Sequence, residues 1–159
     1  MPGRSRQFAF EKLASFDAQA WAAMRAAPAP NPTDLRFHGH DRDAGAIRMS
    51  EANATRAGVD GVTTFTTRSI TDLTPPEGPR GLVIVNPPYG ARIGNKKPLF
   101  ALYGSMGQVL AERFGGWRVG IVTSDAGLAR ATGLPFQPPG PVIAHGGLKI
   151  RLYQTGPLG

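Results

Sequence analysis

The apolar run Leu82-Val83-Ile84-Val85 passes directly into Asn86-Pro87-Pro88-Tyr89-Gly90, and this junction constrains the chain more than any other. Four apolar residues with no polar alternation predict a strand buried on both faces, central in a parallel sheet. The two prolines cannot prolong it, because each lacks an N–H and fixes its own φ. Asn86 to Tyr89 is therefore expected to leave the strand as a stiff corner. It leaves at the carboxyl end, where open α/β sheets bind ligands.

The corner offers an amide side chain, prolyl carbonyls and one aromatic face, a set suited to a planar ring bearing an amine. A nucleobase amine is a poor nucleophile, since its lone pair is delocalised into the ring. The Asn86 side-chain oxygen and a backbone carbonyl can each accept one of its N–H groups. That pairing returns electron density to the nitrogen and aims it at an electrophile by geometry and fixed dipoles. Tyr89 can stack on a base taken out of its helix. The competing reading of the same residues is a surface Pro-Pro turn, and the flanking strand and Tyr-Gly weigh against it.

Other segments alternate in type. Asp17 can cap a short helix through Trp21 and Met24, closed by the loop Ala27-Pro28-Ala29-Pro30-Asn31-Pro32. Leu35 to His40 is expected as a strand. Asp43 to Ala57 should be a helix with Ile47, Ala54 and Ala57 on one face and Gly58 as its stop. Val62 to Thr66 is a further strand. Pro98 opens a helix on which Leu99, Leu102, Met106, Val109 and Phe114 share a face, ended by Gly115-Gly116. Trp117 to Thr123 is expected as a strand, Asp125 to Ala131 as a short helix, and Val142 to Tyr153 as a strand pair or one bent strand.

The 159 residues suffice for one domain with a sizeable core, and 21 glycines with 15 prolines stay below the share that marks low complexity. A net charge of +7 and a pI of about 10.6 favour an anionic partner such as RNA. The absence of Cys excludes disulfides and thiolate metal sites and fits a cytoplasmic protein. No apolar stretch approaches a membrane span, and no signal peptide opens the chain. His38 and His40 share a strand face but have no third ligand at metal-binding spacing, so no metal is expected.

Asn86-Pro87-Pro88-Tyr89 resembles the catalytic motif of class I S-adenosylmethionine-dependent methyltransferases that modify exocyclic amino groups. The longer string Gly81 to Gly94 is similar to the THUMP-associated RNA methylases, which include large-subunit rRNA guanine 2-amino methyltransferases. Pro2-Gly3-Arg4 with Phe8-Ala9-Phe10-Glu11-Lys12 resembles that family too. So do Gly39-His40-Asp41-Arg42-Asp43 with Ala52-Asn53-Ala54 and Ala57-Gly58-Val59, and Gly146-Gly147-Leu148-Lys149-Ile150-Arg151-Leu152.

The resemblance implies an α/β, Rossmann-like class I methyltransferase sheet with helices on both faces, and S-adenosylmethionine as cofactor. It implies Asn86, Pro87, Pro88 and Tyr89 as catalytic residues, with Asn86 also facing the cofactor. Asp41, at the end of the second family strand, would accept from both ribose hydroxyls, with Gly39 leaving room; a helix-capping role is its alternative. Arg42 would lie over the adenine. Many relatives place an acid after the third strand to meet the adenine amine; here that position is Ser69, followed by Ile70, with Asp72 further on. Arg92, Lys96 and Lys97 either meet RNA phosphates or form a solvated basic loop, and Arg4 and Arg6 resemble the same kind of cluster. Ser124-Asp125 is expected as a helix cap.

Only Gly3 and Gly39 precede Asp41, and neither forms the Gly-x-Gly turn that such a domain uses for the methionine end of its cofactor. The expected organisation is a helical segment and Pro-rich linker at 1–34, then a partial methyltransferase domain at 35–159, lacking the first strand and the Gly-rich cofactor loop. In the family that strand lies mid-sheet, between the strands carrying Asp41 and Asn86, so a homo-oligomer or rearranged sheet is expected of a C-terminal part folding alone. The activity so implied is methylation of an exocyclic amine in RNA, with rRNA guanine as target, in a chain impaired in cofactor binding. DNA adenine 6-amino methylation and a non-catalytic nucleic-acid-binding or assembly role are the alternatives.

Overall fold

The computed structural model describes residues 7–26, 33–89 and 97–159. The expectations for Pro2 to Arg4, Arg6, the loop at 27–32, Gly90 to Gly94, Arg92 and Lys96 lie outside the described residues. The chain divides into two compact units, Met1–Arg68 and Ser69–Gly159.

In the first unit a 3-10 turn at Ala9–Lys12 is fastened by the Phe8 N–H donating to the Glu11 carboxylate at 2.9 Å. Helix α1, Ala18–Ala26, starts where the Asp17 carboxylate accepts from the Ala20 N–H at 2.8 Å. Phe8, Phe10 and Trp21 pack as a small aromatic cluster with edge-on contacts at 5.7 and 5.0 Å between ring centres. Strand β1, Phe37–Asp41, leads into α2, Ala44–Ala57, whose first turn is capped by Asp43 accepting from the Gly45 N–H. Gly58, at φ 68°, closes that helix in the left-handed conformation that glycine adopts without penalty. Ile47 and Ala54 are its buried positions. Strand β2, Thr63–Thr67, pairs parallel with β1, Gly39 standing opposite Phe65. A Cβ on Gly39 would meet the Phe65 ring. The glycine is therefore required by strand packing, which displaces the expectation that it makes room for a ligand.

In the second unit a 3-10 turn at Ile70–Asp72 precedes β3, Leu82–Val85. Helix α3, Lys97–Arg113, then leads to β4, Arg118–Thr123, and α4, Ala126–Ala131, follows. A hairpin of β5, Ile143–His145, and β6, Leu148–Gln154, closes the sheet in the order β3-β4-β6-β5. β3 runs parallel to β4, and β6 antiparallel to it. Tyr103, Met106 and Leu110 of α3 are fully buried with Val119 and Ile121 of β4 and Leu128 of α4.

Two expectations are corrected. Among the described residues β3 pairs only with β4 and stands at the sheet edge rather than at its centre. Val83 and Val85 pack on the core, while Leu82 and Ile84 are 51% and 57% exposed. The uniform apolar run follows from burial of one face and a second face that no helix of this unit covers. The strands also form two sheets, of two and four members, among the described residues. β1 and β3, each paired on one side, are the strands between which the resemblance puts a further strand. The remaining elements lie within a residue or two of their expected bounds, and the tail is a strand pair.

Two outcomes follow from this packing. α3 and α4 approach so closely at Gly107 that a Cβ there would collide with the Thr132 carbonyl. Gly107→Ala is expected to destabilise the second unit by about 2 kcal/mol or more, read as a lowered melting temperature; an unchanged melt would refute the contact. In the first unit, burial, then the charges of Arg68 and His38, hold the His40 imidazole below its ordinary value of 6.5, against a hydrogen bond with the Thr66 backbone. The folded state thus binds fewer protons than the unfolded one. The stability this contributes is complete above about pH 6.5 and is lost as pH falls through the lower folded value. Thermal melts between about pH 7.5 and pH 5 should show a shallower acid loss for His40→Gln than for the parent chain; equal slopes would contradict it.

Candidate functional site

The second unit carries the corner. β3 ends at Val85, and Asn86 is exposed, Pro87 buried, Pro88 exposed and Tyr89 half-buried. Pro87 is the anchor. It seats the turn in the protein while the residues on either side face outward. Tyr89 packs its ring against the core that α3 and β4 build. The corner lies at the carboxyl end of a parallel strand, with Asn86 exposed.

A neighbour that the sequence reading missed holds this corner from below. The Tyr103 hydroxyl donates to the Pro88 carbonyl at 3.4 Å, and the Tyr103 side chain is completely buried. Tyr103 follows Leu99 by four residues on the same helical face, although the face read from spacing named Leu102 instead. Nothing in the spacing told that its hydroxyl would reach back to the corner. Burial first raises the Tyr103 phenol above its ordinary value, a hydrogen bond with the Thr123 side chain opposes this, and the charges of Tyr89 and Asp125 add to the rise. The phenol is accordingly a neutral donor through the physiological range.

The turn after β2 bears Ser69 and Ile70. The Ser69 hydroxyl accepts from the Thr71 N–H at 3.4 Å and shares a 3.0 Å hydrogen bond with the Thr71 hydroxyl. Its side chain thus serves first as the cap of the Ile70–Asp72 turn. Ile70 packs on the same core as Tyr89. Asp72 is exposed at the end of the turn. Lys97 opens α3. Asp125 caps α4, accepting from the Gly127 N–H at 2.8 Å, the role expected of it.

Asp41 and Arg42 belong to the first unit, at the carboxyl end of β1, and both are exposed. One Asp41 carboxylate oxygen accepts from the Asp43 N–H at 2.9 Å, while Asp43 itself caps α2. The helix-cap alternative for Asp41 therefore passes to Asp43. The second Asp41 oxygen takes no partner among the described residues and is an acceptor that a ribose hydroxyl could donate to. A cavity of about 240 Å³ lined by Glu51, Thr55, Asp60 and Phe65 contains none of the expected site residues. No helix among the described residues is long and apolar enough to cross a membrane.

Comparison with known proteins places this geometry. A ribosomal RNA large subunit methyltransferase K/L of Aliivibrio fischeri is 39% identical over 132 residues, covering 78% of this chain. The chain spans only about a fifth of the length of such relatives, 19% in that case. A possible methylase from Clostridium difficile 630 superposes on 99% of the chain at 27% identity and a TM-score of 0.79, the match covering 42% of that protein. SMU.472, a putative methyltransferase crystallised with SAH, matches 99% of the chain and 42% of its own at 27% identity and a TM-score of 0.76. The family model for the RMKL-like methyltransferase domain (UPF0020) matches residues 1–135. With its Asn-Pro-Pro-Tyr corner at the end of a parallel strand, the chain belongs to the RMKL-like methyltransferase domain family.

Proposed function

We propose that this chain is the methyltransferase part, residues 35–159 above all, of an enzyme that methylates an exocyclic base amine in RNA, the guanine 2-amino group of ribosomal RNA. The observation that carries this reading is Asn86, exposed at the end of a parallel strand and fixed there by buried Pro87. S-adenosylmethionine, when bound, supplies an electrophilic methyl group. The Asn86 side-chain oxygen and the Pro87 carbonyl accept the two N–H groups of the base amine. Both are neutral, so they orient the nitrogen lone pair without introducing a charge that must be desolvated. Tyr89 offers its ring to the flat face of the base. Asp41 would hold the ribose hydroxyls of the cofactor, Arg42 its adenine, with Ser69 and Ile70 contributing from the turn after β2. The relatives' RNA substrate and the chain's charge of +7 support RNA over DNA as the partner.

Cofactor affinity of the 159 residues alone is expected to be weak, because no Gly-x-Gly turn precedes Asp41 to hold the methionine end. Isothermal titration with S-adenosylmethionine should give little or no heat; submicromolar binding would overturn this part of the reading. Nucleoside mass spectrometry of RNA from a strain without the gene should lack one N2-methylguanosine. The wild-type gene should restore it, and Asn86→Ala should reduce it by about 100-fold or more. Restoration by Asn86→Ala would remove Asn86 from the reaction, and loss of a methyladenine from DNA instead would transfer the activity to the other substrate.

A further inference from the structure

We propose that Tyr103 is a positioning residue, tethering the Pro88 carbonyl and thereby fixing the angle at which Asn86 and Pro87 present their acceptors. The inference rests on the methyltransferase reading of the corner.

The geometry is a hydrogen bond from the core to the corner. The Tyr103 hydroxyl donates to the Pro88 carbonyl at 3.4 Å, and the Tyr103 side chain is fully buried. Thr123, also fully buried, accepts at its hydroxyl oxygen from the Asp125 N–H at 3.2 Å, where β4 turns into α4.

These residues sit on different elements. Pro88 follows β3, Tyr103 is on α3, Thr123 ends β4 and Asp125 caps α4. The corner cannot be tied down by a sheet hydrogen bond from its own prolines, which have no N–H to give. At Pro87 and Pro88 the backbone can only accept, and Tyr103 is the donor that the core extends to Pro88. Full burial of Tyr103 keeps its side chain within the core beneath the corner. Phenylalanine retains the ring that fills the core and removes the donor alone, leaving the Pro88 carbonyl without its partner.

The test uses the whole chain and has a readout besides activity. The Tyr89 amide reports the Pro88 carbonyl carbon in a three-dimensional NMR spectrum that correlates each N–H with the preceding carbonyl. In Tyr103→Phe that carbonyl resonance should move upfield, with the fold retained and resonances of the β5-β6 hairpin unmoved. An unmoved Pro88 resonance overturns the tether. The second arm places Tyr103→Phe in the gene-deletion strain, where methylation should fall about tenfold while Met106→Leu, a core change of the same helix, restores it fully. A shifted resonance with full methylation overturns the positioning role. A strain in which the wild-type gene restores no methyl mark refutes the methyltransferase reading itself, an outcome distinct from any of these.

Discussion

Two consecutive residues without an N–H end β3, and the architecture of the site depends on that deficit. A parallel strand normally alternates donors and acceptors along each edge. At Pro87 and Pro88 the donors stop while the carbonyls continue, so the chain must leave the ladder and becomes a surface that only accepts. The Asn86 side-chain oxygen adds one more acceptor at the exposed side. A ligand that matches such a surface must bring N–H groups of its own. An exocyclic base amine brings two on one nitrogen, the match on which the proposed reaction rests.

Rigidity of the corner is inherited from the packing below it. Pro87 is buried, Tyr89 leans on the core, and Tyr103 rises through that core from α3. α3 can hold this position because Gly107 lets it close on the Thr132 carbonyl beyond α4. α4 is in turn started by Asp125, one residue beyond the Ser124 that follows β4. Helix packing, a cap and a side-chain hydrogen bond thus converge on one carbonyl.

Caps and stops were legible in the sequence because their physics is local. Asp17, Asp43 and Asp125 each accept from an N–H two or three residues on, and Gly58 takes a φ of 68° that its neighbours would resist. The corner was legible for the same reason, since proline acts on its own backbone. Neighbours across space were not. A run such as Leu82 to Val85 states that it is apolar, and cannot state which edge pairs or whether a second face is covered. Gly39 suggested room for a ligand, whereas the Phe65 ring opposite it fills that room. Tyr103 was absent from the helix face read from spacing, which named Leu102 instead. Its hydroxyl acquires meaning only when β3 and β4 place Pro88 and Thr123 on either side of it.

The distribution of charge separates two tasks that a single basic site could not perform together. The acceptors at the corner are an amide and carbonyls, so no ion must be stripped of water when a base approaches. Among the described residues of the second unit, Arg118, Arg130 and Lys149 are exposed cations. Phosphates of a nucleic acid can be gathered by such residues at a distance, in a manner that weakens with salt. In the proposed reaction the amine would be held by neutral dipoles, whose effect depends on angle more than on ionic strength. An Asp in place of Asn86 would hold an amine more strongly in the ground state. It would also add a carboxylate that needs solvation, in a site where binding the substrate more tightly does not by itself speed the reaction. The amide gives up that strength and relies on orientation, and so the corner needs two prolines above it and a tether beneath.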